Sequence, residues 1–206
     1  MQVKRVLDVF FSALLLVALS PLLLVISLTS LCALGTPVLF TQMRPGRNGT
    51  PFRLYKFRTM KLARVAQGDE QLNDMQAVAT DEERLTAYGA FLRKTSLDEL
   101  PELFNIFKGD MSFVGPRPLL MEYLPLYSSV QARRHEVRPG LTGLAQVSGR
   151  NALDWETRFK LDVDYVDHIS FAQDCEILGA TLAVVLSRKD VSSQTSATME
   201  PFNGHN

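Results

Sequence analysis

Residues 9–34 form an apolar run without a single charged side chain, and this run constrains the chain more than any other feature. It is roughly 26 residues long, whereas about 20 suffice for a helix to cross the hydrocarbon core of a bilayer. A cleaved signal peptide is disfavoured, because the run is too long and Pro21 directly follows the only small-residue cleavage site, at residues 18–20. We therefore expect a retained membrane segment.

Pro21 lies near the middle of this run and interrupts its helical hydrogen bonding. Because proline has no N–H, the carbonyl of Val17 loses its partner, at a cost of about 3 kcal/mol in a helix interior. The hydroxyl of Ser20 offers a replacement, since serine can donate to a carbonyl one turn back. Two arrangements are compatible with these residues: a single membrane-crossing helix with a proline kink, and a re-entrant pair of helices.

Basic residues flank the apolar run on both sides. Lys4 and Arg5 precede it, and a basic strip without any acid follows it, consisting of Arg44, Arg47, Arg53, Lys56, Arg58, Lys61 and Arg64. Because basic flanks stay on the cytoplasmic side, both ends favour the same side, and one crossing cannot satisfy both. Most of the strip is expected to face solvent or lipid headgroups. From these residues alone, both membrane arrangements stay open.

Composition limits the classes of protein that the chain can belong to. A length of 206 residues corresponds to one domain with a single core. The 22 basic and 22 acidic side chains cancel, so no net field favours a nucleic-acid partner. Cys32 and Cys175 are far apart and lack a CxxC spacing, which indicates neither a zinc site nor a disulfide framework. A reducing compartment is expected.

The rest of the chain predicts a mixed α/β fold dominated by helices. Alternating aromatic and apolar residues around two turn sequences, RPG and NG, predict a β-hairpin at residues 37–60. Glycines between residues 140 and 149 are expected to permit close backbone approach. The remaining elements are helices at 69–93, 96–107, 119–135, 153–168 and 173–187, a loop at 112–118, a strand at 144–147, and a loosely ordered polar tail from residue 192.

The segment TSLDELPE at residues 95–102 places two adjacent carboxylates in the first turn of an expected helix. One interpretation is structural, because Ser96 and Glu99 have the spacing of a capping box and acids stabilise a helix N-terminus by about 0.3–1 kcal/mol. The other is catalytic, because Arg93 precedes the acids and helix N-termini bind phosphate. Asp98 and Glu99 could then supply a nucleophile for phosphoryl transfer and ligands for Mg²⁺.

Two other arginines are candidates for contact with phosphate, because guanidinium binds phosphate bidentately, and two basic residues of the hairpin could point at a polar site. Arg117 lies in a proline-flanked loop, Arg150 follows a glycine, and Lys56 and Arg58 alternate with aromatic residues in the hairpin. The triplet at residues 162–164 has an Asp-x-Asp pattern, which arises easily by chance among 22 acids. The histidines lack ligand spacing; they are His135, His168 and His205.

Several motifs occur in an order that resembles the bacterial sugar transferase family. They are SP at 20–21, YKFR at 55–58, SLDELP at 96–101, GDMSFVGPRP at 109–118 and RPGLTG at 138–143. Members of this family are monotopic polyprenol-phosphate phosphoglycosyl transferases. The short chain resembles the small PglC-like members, which lack the additional membrane helices of larger relatives.

The resemblance implies an architecture and a location. The fold is expected to be a monotopic membrane protein with a re-entrant helix broken at Ser20 and Pro21, interfacial amphipathic helices and a small sheet near the active site. The re-entrant hairpin would occupy residues 1–36, the catalytic domain residues 37–190 and a polar tail residues 191–206. The catalytic domain would lie on the cytoplasmic face of the bacterial inner membrane, in contact with membrane lipid. A homodimer stays open.

The resemblance also implies a reaction. Asp98 matches the nucleophile and Glu99 its dyad partner, and one or both would hold Mg²⁺. The aspartate attacks the β-phosphate of a UDP-sugar and releases UMP, and undecaprenyl phosphate then takes the phosphosugar. The product is an undecaprenyl-diphosphate sugar. Basic positions at the phosphate and nucleotide sites are matched by Lys56, Arg93, Arg117 and Arg150.

Two positions depart from the family pattern, and the end of the chain adds a hint about the donor. Many relatives have an aromatic residue and an amide where this chain has Leu144 and Ser148, which puts contacts of that stretch to nucleotide or interface in question. The ending EPFNGHN at residues 200–206 resembles that of small members acting on UDP-diacetylbacillosamine. An N-acetylated amino sugar is therefore the first candidate.

Two other functions stay open from the sequence. A metal-dependent hydrolase of a phosphorylated lipid or nucleotide would use the same acids, with water as acceptor, and would turn over without polyprenyl phosphate. A non-catalytic membrane scaffold would bind anionic headgroups through the basic strip, and Asp98 would only cap a helix.

Overall fold

The computed structural model describes residues 2–62, 81–149, 153–187, 201–204 and 206. The helices in these ranges are α1 (Gln2–Ala18), α2 (Ser20–Leu34), α3 (Asp81–Arg84), α4 (Ala87–Lys94), α5 (Glu102–Lys108), α6 (Ser129–Ala132), α7 (Leu144–Ser148), α8 (Trp155–Asp167) and α9 (Phe171–Ser187). The strands are β1 (Leu39–Pro45), β2 (Pro51–Phe57), β3 (Ser112–Val114) and β4 (Gly140–Thr142). The mixed α/β fold is thus dominated by helices, as predicted.

The apolar run is broken where the sequence predicts a break. Ser20 and Pro21 open α2, whose axis is bent by 62° from that of α1. The Ser20 hydroxyl donates to the carbonyl oxygen of Val17 at 2.8 Å, which supplies the hydrogen bond that proline cannot make. Of the helices described, none alone is long and apolar enough to cross a bilayer, whereas α1 and α2 together meet the requirements of length and composition.

Polar side chains fasten α1 to the rest of the chain. Arg5 donates to the carbonyl oxygens of Ile106 and Phe107, in the last turn of α5, at 2.6 and 2.8 Å. Asp8 is buried and accepts hydrogen bonds from the Ser112 hydroxyl at 3.1 Å and the Phe113 N–H at 3.2 Å. Leu15 and Leu16 of α1, with Leu19 at the break before α2, also pack against the core cluster that lies between β2 and α5. The first helix therefore completes the core of the globular part.

The other end of the bent pair is bonded to the same globular part. The buried side chain of Arg58 donates to the carbonyl oxygens of Leu34 and Gly35, both at 2.6 Å. These carbonyls lie at the C-terminus of α2, where helical partners are missing. The outer ends of α1 and α2 are thus both attached to the globular part by arginine.

The predicted β-hairpin is confirmed. Strands β1 and β2 pair antiparallel from Leu39 opposite Phe57 to Pro45 opposite Pro51. The free edge of β2 is covered by α5 through the buried Asn105, whose amide accepts from the N–H of residue 55 at 3.1 Å and donates to the carbonyl of residue 53 at 2.7 Å. This contact fixes β2 against the segment that carries the candidate carboxylates.

The glycines after residue 138 permit a close backbone approach, as expected, and the partner is another backbone segment. A Cβ atom on Gly140 would lie 2.1 Å from the nitrogen of Gly115, and one on Gly143 would lie 2.2 Å from the oxygen of Gly115. The chain at residues 112–115 and the chain at residues 140–143 therefore lie side by side as the parallel pair β3 and β4.

Two predictions for these segments are wrong. The predicted loop at 112–118 begins with a strand, and the strand predicted at 144–147 is the helix α7. Residues 140–142 occupy the place beside β3 instead, because only glycine fits at positions 140 and 143. The residues that follow Gly143 include leucine, alanine and glutamine, which favour a helix.

Helix predictions elsewhere hold to different extents. Helices α8 and α9 confirm the predictions at 153–168 and 173–187. The prediction at 69–93 falls partly outside the described residues, and its later part is split into α3 and α4 by Thr86, which caps α4. The helix predicted at 119–135 is wrong as one element. It is divided into a 3-10 helix (Met121–Leu126) that contains a proline, α6 with its own capping box, and a further 3-10 turn.

The end of the chain carries an aromatic side chain that is buried. Phe202 is 3% exposed and packs in a cluster of rings whose other members are Tyr123, Tyr127, Trp155 and Phe159. Its ring centroid lies 5.0 Å from that of Phe159 on α8. The prediction of a loosely ordered tail is therefore wrong at this residue, because a single large apolar side chain anchors it to the core.

Phe202→Ala should lower the free energy of unfolding by about 3 kcal/mol, because the substitution leaves a cavity among packed rings. The unfolding midpoint of the detergent-purified protein measures this loss. Val130→Ala is the control, since Val130 is 61% exposed and its truncation should change stability by less than about 0.5 kcal/mol. Equal midpoints for both variants would contradict the anchoring role of Phe202.

Candidate active site

Asp98 and Glu99 lie in a 3-10 turn (Leu97–Glu99) that joins α4 to α5. The capping-box interpretation is wrong, because Ser96 has a left-handed backbone (φ 56°) and its side chain makes no capping hydrogen bond. Ser96 instead follows the last turn of α4, a position that often takes this conformation. The continuous helix predicted at 96–107 is also wrong, since Pro101 has no N–H to continue the turn and α5 begins at Glu102.

The Glu99 carboxylate lies at the centre of a network of charges. One of its oxygens, Oε1, accepts from Lys56 Nζ at 2.6 Å and from Arg117 Nη2 at 2.7 Å. Burial disfavours the charged form of Glu99, but Arg117 and Lys56 outweigh it and hold its pKa well below the ordinary value. Lys56 Nζ also lies 3.2 Å from Oε1 of the buried Glu102. The turn, β2 and the loop after β3 are thereby joined through one carboxylate.

Asp98 is placed differently from its neighbour. Its side chain is buried, and within the described ranges its carboxylate accepts no hydrogen bond and forms no ion pair. Burial, aided by repulsion from Glu99, raises its pKa to about 6, while Lys56, Arg93 and Arg117 act in the opposite direction. Three cations that line the same cavity therefore act on a carboxylate that is bonded to none of them, as expected for a group that reacts with an anionic substrate.

The two arginines of the site are held by their own partners. Arg93 on α4 donates to the Thr59 hydroxyl at 3.0 Å. The backbone carbonyl of Arg117 accepts from Arg134 at 2.7 Å. Arg134 is itself fully buried in an ion pair with Asp162, at 2.7 Å. The loop that presents Arg117 is therefore fixed by a buried ion pair.

The Asp-x-Asp pattern at residues 162–164 does not form a metal site. Asp162 points inward to Arg134, whereas Asp164 lies half-exposed beside His168 on the outer side of α8. Across the described ranges of the chain, no group of three or more acidic, histidine or cysteine side chains could hold a metal ion.

A cavity of about 900 Å³ opens at these side chains. Its lining contains the predicted site residues Lys56, Arg93, Asp98, Glu99 and Arg117. The same lining contains many apolar side chains, among them Leu15, Leu19, Phe40, Ala145, Leu178 and Leu182. The cavity thus combines cations with a hydrocarbon surface.

The structure brings together five of the six predicted catalytic and binding residues, and the sixth, Arg150, lies outside the described residues. Arg58 reaches the cavity edge, but its guanidinium caps α2. Leu144 and Ser148, which depart from the family pattern, do not line the cavity. Leu144 packs in the core beside β3, and the Ser148 hydroxyl donates to its own helix.

Three further side chains belong to the site and were missed from the sequence. Glu102 follows Asp98 by four residues, a spacing that places both on one face of a helical segment and was available as a signal. Thr59 directly follows the YKFR motif and holds Arg93. Arg158 lines the cavity from α8, and no pattern in the sequence marks it.

The two carboxylates are suitable ligands for a Mg²⁺ ion whose remaining ligands would come from substrate and water. In the part of the chain described, neither Asp98 oxygen nor Oε2 of Glu99 accepts a hydrogen bond, so these oxygens are available as ligands. Mg²⁺ is commonly bound by one or two carboxylates together with water and phosphate oxygens, without an all-protein cage. The donor set here corresponds to that mode of binding.

A buried carboxylate in a cavity that combines cations with apolar side chains defines a candidate phosphoryl-transfer site for an amphipathic substrate. The chain belongs to the bacterial sugar transferase family, whose model matches residues 1–188. The resemblance identified from the motifs is therefore confirmed.

Named relatives are sugar transferases. The chain is 48% identical to the uncharacterised sugar transferase EpsL of Bacillus subtilis over 99% of its own length and 97% of the relative. It is 42% identical to the undecaprenyl-phosphate galactose phosphotransferase of Salmonella typhimurium, over 90% of the chain but 40% of the relative. Identity is 39% with the UDP-glucose:undecaprenyl-phosphate glucose-1-phosphate transferase of Caulobacter vibrioides, over 89% of the chain and 70% of the relative.

Glu102→Gln should stabilise the protein more at high pH than at low pH. Burial and repulsion from Glu99 raise the pKa of Glu102 to about 7, whereas an unfolded chain has a glutamate pKa of about 4.3. The folded state therefore keeps a proton that the unfolded state releases, and stability falls as pH rises from about 4.3 to 7. Glutamine does not titrate, so the variant does not lose this stability as pH rises.

The measurement is the unfolding midpoint of both proteins at pH 5 and pH 8, where roughly 2–4 °C corresponds to 1 kcal/mol. The unfolding midpoint of the variant minus that of the unmodified protein should be larger at pH 8 than at pH 5 by several degrees. Glu122→Gln, which replaces an exposed carboxylate, should show no such growth. A pH-independent difference for Glu102→Gln would contradict the buried, proton-holding state.

Proposed function

We propose that this protein transfers a sugar 1-phosphate from a UDP-sugar to undecaprenyl phosphate through a covalent intermediate on Asp98. The observation that carries the proposal is the Asp98 carboxylate itself, which is buried, bonded to none of the described side chains and placed in one cavity with Lys56, Arg93 and Arg117. A carboxylate that only capped a helix would accept backbone hydrogen bonds, and Asp98 accepts none from the described residues.

In the first step an Asp98 oxygen forms a bond to the β-phosphorus of the UDP-sugar. The bond between that phosphorus and the bridging oxygen breaks, and the oxygen leaves with its electron pair as part of UMP. Lys56, Arg93 and Arg117 offset the negative charge that spreads over the phosphate oxygens as the bonds exchange. Glu99, tied to two of these cations, holds them in place beside its neighbour.

In the second step an oxygen of undecaprenyl phosphate bonds to the same phosphorus. The bond to Asp98 breaks, the carboxylate is regenerated, and undecaprenyl-diphosphate sugar is released. The apolar side chains that line the cavity support a lipid acceptor, because they offer the isoprenoid chain a hydrocarbon surface in the same cavity as the reacting group. The names of the Salmonella and Caulobacter relatives contain undecaprenyl phosphate, which is consistent with this acceptor.

Asp98 and Glu99 would hold Mg²⁺, since their available oxygens fit its preference for carboxylate and phosphate ligands. When bound, the ion supplies positive charge to the phosphate oxygens. Lys56, Arg93 and Arg117 supply positive charge to the same cavity.

We also propose that α1 and α2 form a re-entrant pair in the bacterial inner membrane, with the catalytic part on the cytoplasmic face. Arg5 binds α5 at one end of the pair and Arg58 binds the end of α2, so both outer ends lie against the same globular part. Apolar side chains along the pair are exposed, among them Phe10 at 60% and Val17 at 75%. Exposed aromatic residues on α4, α5 and α9 support interfacial contact with lipid; they are Phe91, Phe104, Phe107 and Phe171.

An N-acetylated amino sugar is the first candidate for the donor, on the resemblance of the chain's ending to small family members. Relatives named for glucose and galactose make these two sugars the alternatives that an assay must include.

Asp98→Asn should abolish UMP release from UDP-sugars by the detergent-purified protein with Mg²⁺. The rate should fall by at least about 10³-fold, because the covalent route is lost with its nucleophile. A panel of UDP-sugars, with and without undecaprenyl phosphate, identifies the donor, and intact-mass spectrometry detects the phosphosugar adduct. Asp164→Asn, which removes an exposed carboxylate of α8, should retain activity.

The same assay separates the alternative functions. Sustained UMP release without undecaprenyl phosphate would indicate a hydrolase. A membrane scaffold would be favoured if no sugar gave UMP and if Asp98→Asn did not differ from the unmodified protein in this assay.

The re-entrant arrangement predicts that Gln2 and Thr50 lie on the same side of the membrane. Both residues are exposed, and each can be replaced by cysteine after Cys32 and Cys175 are removed. A membrane-impermeant maleimide should label neither position in intact spheroplasts and both after permeabilisation. Labelling of one position in intact spheroplasts would indicate a single crossing.

A further inference from the structure

Glu102 is a buried carboxyl group next to the residues that line the cavity. It is the first residue of α5, and its side chain is 3% exposed. The cavity lining includes Lys56, Asp98, Glu99 and Arg117 but does not include Glu102. Glu102 is therefore out of reach of a substrate in the cavity, and any effect that it has on the reaction must pass through another side chain.

Lys56 is the side chain through which Glu102 can act. Lys56 Nζ lies 3.2 Å from Glu102 Oε1 and 2.6 Å from Glu99 Oε1. Within the described ranges, Lys56 is the only cation at ion-pair distance from Glu102. Oε1 of Glu102 accepts no well-aligned hydrogen bond from these ranges, so its contact with the ammonium group is mainly electrostatic. The ammonium group is thus held between two carboxyl groups, one in the cavity lining and one outside it.

The contact with Glu99 does not fix Lys56 by itself. Oε1 of Glu99 also accepts from Arg117 at 2.7 Å, so two cations that repel each other share one oxygen. A lysine ammonium group is a compact charge on a flexible stem, and its three donors do not select one carboxylate by shape. Asp98, the sequence neighbour of Glu99, lies in the same cavity lining and has no ion pair with a described residue. Asp98 is therefore a competing partner for Lys56, and that ion pair would occupy the nucleophile.

We propose that Glu102 is a positioning residue that holds the ammonium group of Lys56 against Glu99 and away from Asp98. This inference rests on the proposed function. Glu102 attracts the ammonium group from outside the cavity lining, whereas a shift to Asp98 would bring it to the reacting oxygen atoms. The Asp98 carboxylate thereby stays free to attack phosphorus. Lys56 keeps a fixed place in the lining, from which its charge acts on the phosphate.

This role requires an oxygen atom at position 102 and does not require a full negative charge. Burial raises the pKa of Glu102 to about 7, so part of the molecules carry a proton there near neutral pH. A protonated carboxyl group still presents a carbonyl oxygen to an ammonium group, and so does the side chain of glutamine. Glu102→Gln should therefore keep Lys56 in place, whereas an apolar side chain of similar length should not.

The test measures the initial rate of UMP release by the full-length, detergent-purified protein with Mg²⁺, undecaprenyl phosphate and a saturating UDP-sugar. Glu102→Met keeps the length of the side chain and removes both oxygens. It should lower the rate by at least about tenfold, because a small displacement of a catalytic group slows the reaction strongly. Glu102→Gln should stay within about threefold of the unmodified protein. Glu122→Met makes the same exchange at an exposed carboxylate and should change the rate by less than about twofold.

A double-mutant cycle with Lys56→Gln separates positioning from packing. In the Lys56→Gln background, Glu102→Met should lower the rate by less than about twofold, because the side chain that Glu102 positions is already gone. A packing role of Glu102 would leave the same large loss in both backgrounds, and that result would overturn the proposal.

The unfolding midpoint of each variant shows whether it folds. If Glu102→Met does not fold, Glu102→Asp takes its place, because a side chain shorter by one carbon draws the oxygens away from Lys56. The expected loss of rate is then about threefold, and an unchanged rate would overturn the proposal.

The outcomes distinguish this inference from the proposed function. If the unmodified protein releases UMP from a UDP-sugar and Glu102→Met releases it equally fast, only the positioning role of Glu102 is wrong. If the unmodified protein releases no UMP from any UDP-sugar, the proposed function and the inference are both wrong.

Discussion

The ion pairs of Glu99 with Lys56 and Arg117 are the interactions on which the site depends. They join a strand, a turn and a loop that are distant in sequence, and they bring two cations next to Asp98. Two adjacent carboxylates would otherwise repel each other, and one would take up a proton. By pairing with Glu99, Lys56 and Arg117 offset its charge, and the neighbouring Asp98 can lose its proton while its carboxylate stays free of these ion pairs.

Arginine does much of the structural work in this chain. Arg5 and Arg58 bond to the ends of two helices, and Arg134 bonds to the loop that presents Arg117. Guanidinium suits this role because it carries several donors in fixed directions and stays charged when buried. The basic strip predicted to face solvent or headgroups therefore also makes hydrogen bonds to other parts of the chain. Arg47, for example, donates to the carbonyl of Glu136.

Features set by neighbouring residues could be predicted from the sequence. The hairpin, the break at Pro21 and the hydrogen bond from Ser20 follow from turn chemistry and from a missing N–H. Five of the predicted site residues line one cavity. They could be predicted because the motifs that carry them resemble those of a known family. Other features could not be predicted. The strand at Gly140 beside Gly115 and the burial of Phe202 are determined by partners far along the chain, whereas the left-handed Ser96 belongs to the end of α4, which the sequence did not reveal.

The burial of Phe202 has a consequence for the order of events during synthesis. Helix α8, which carries Arg158 and Asp162, packs against this ring through Trp155 and Phe159. The apolar pair α1 and α2 leaves the ribosome before the globular part, and residue 202 leaves it after every described segment that lines the cavity. Domains generally fold as units. The part of the cavity formed by α8 therefore completes its packing only after residue 202 has been synthesised, well after the apolar pair. A chain interrupted before residue 202 would contain Asp98 and the cations of the site, but the ring that packs against α8 would be missing.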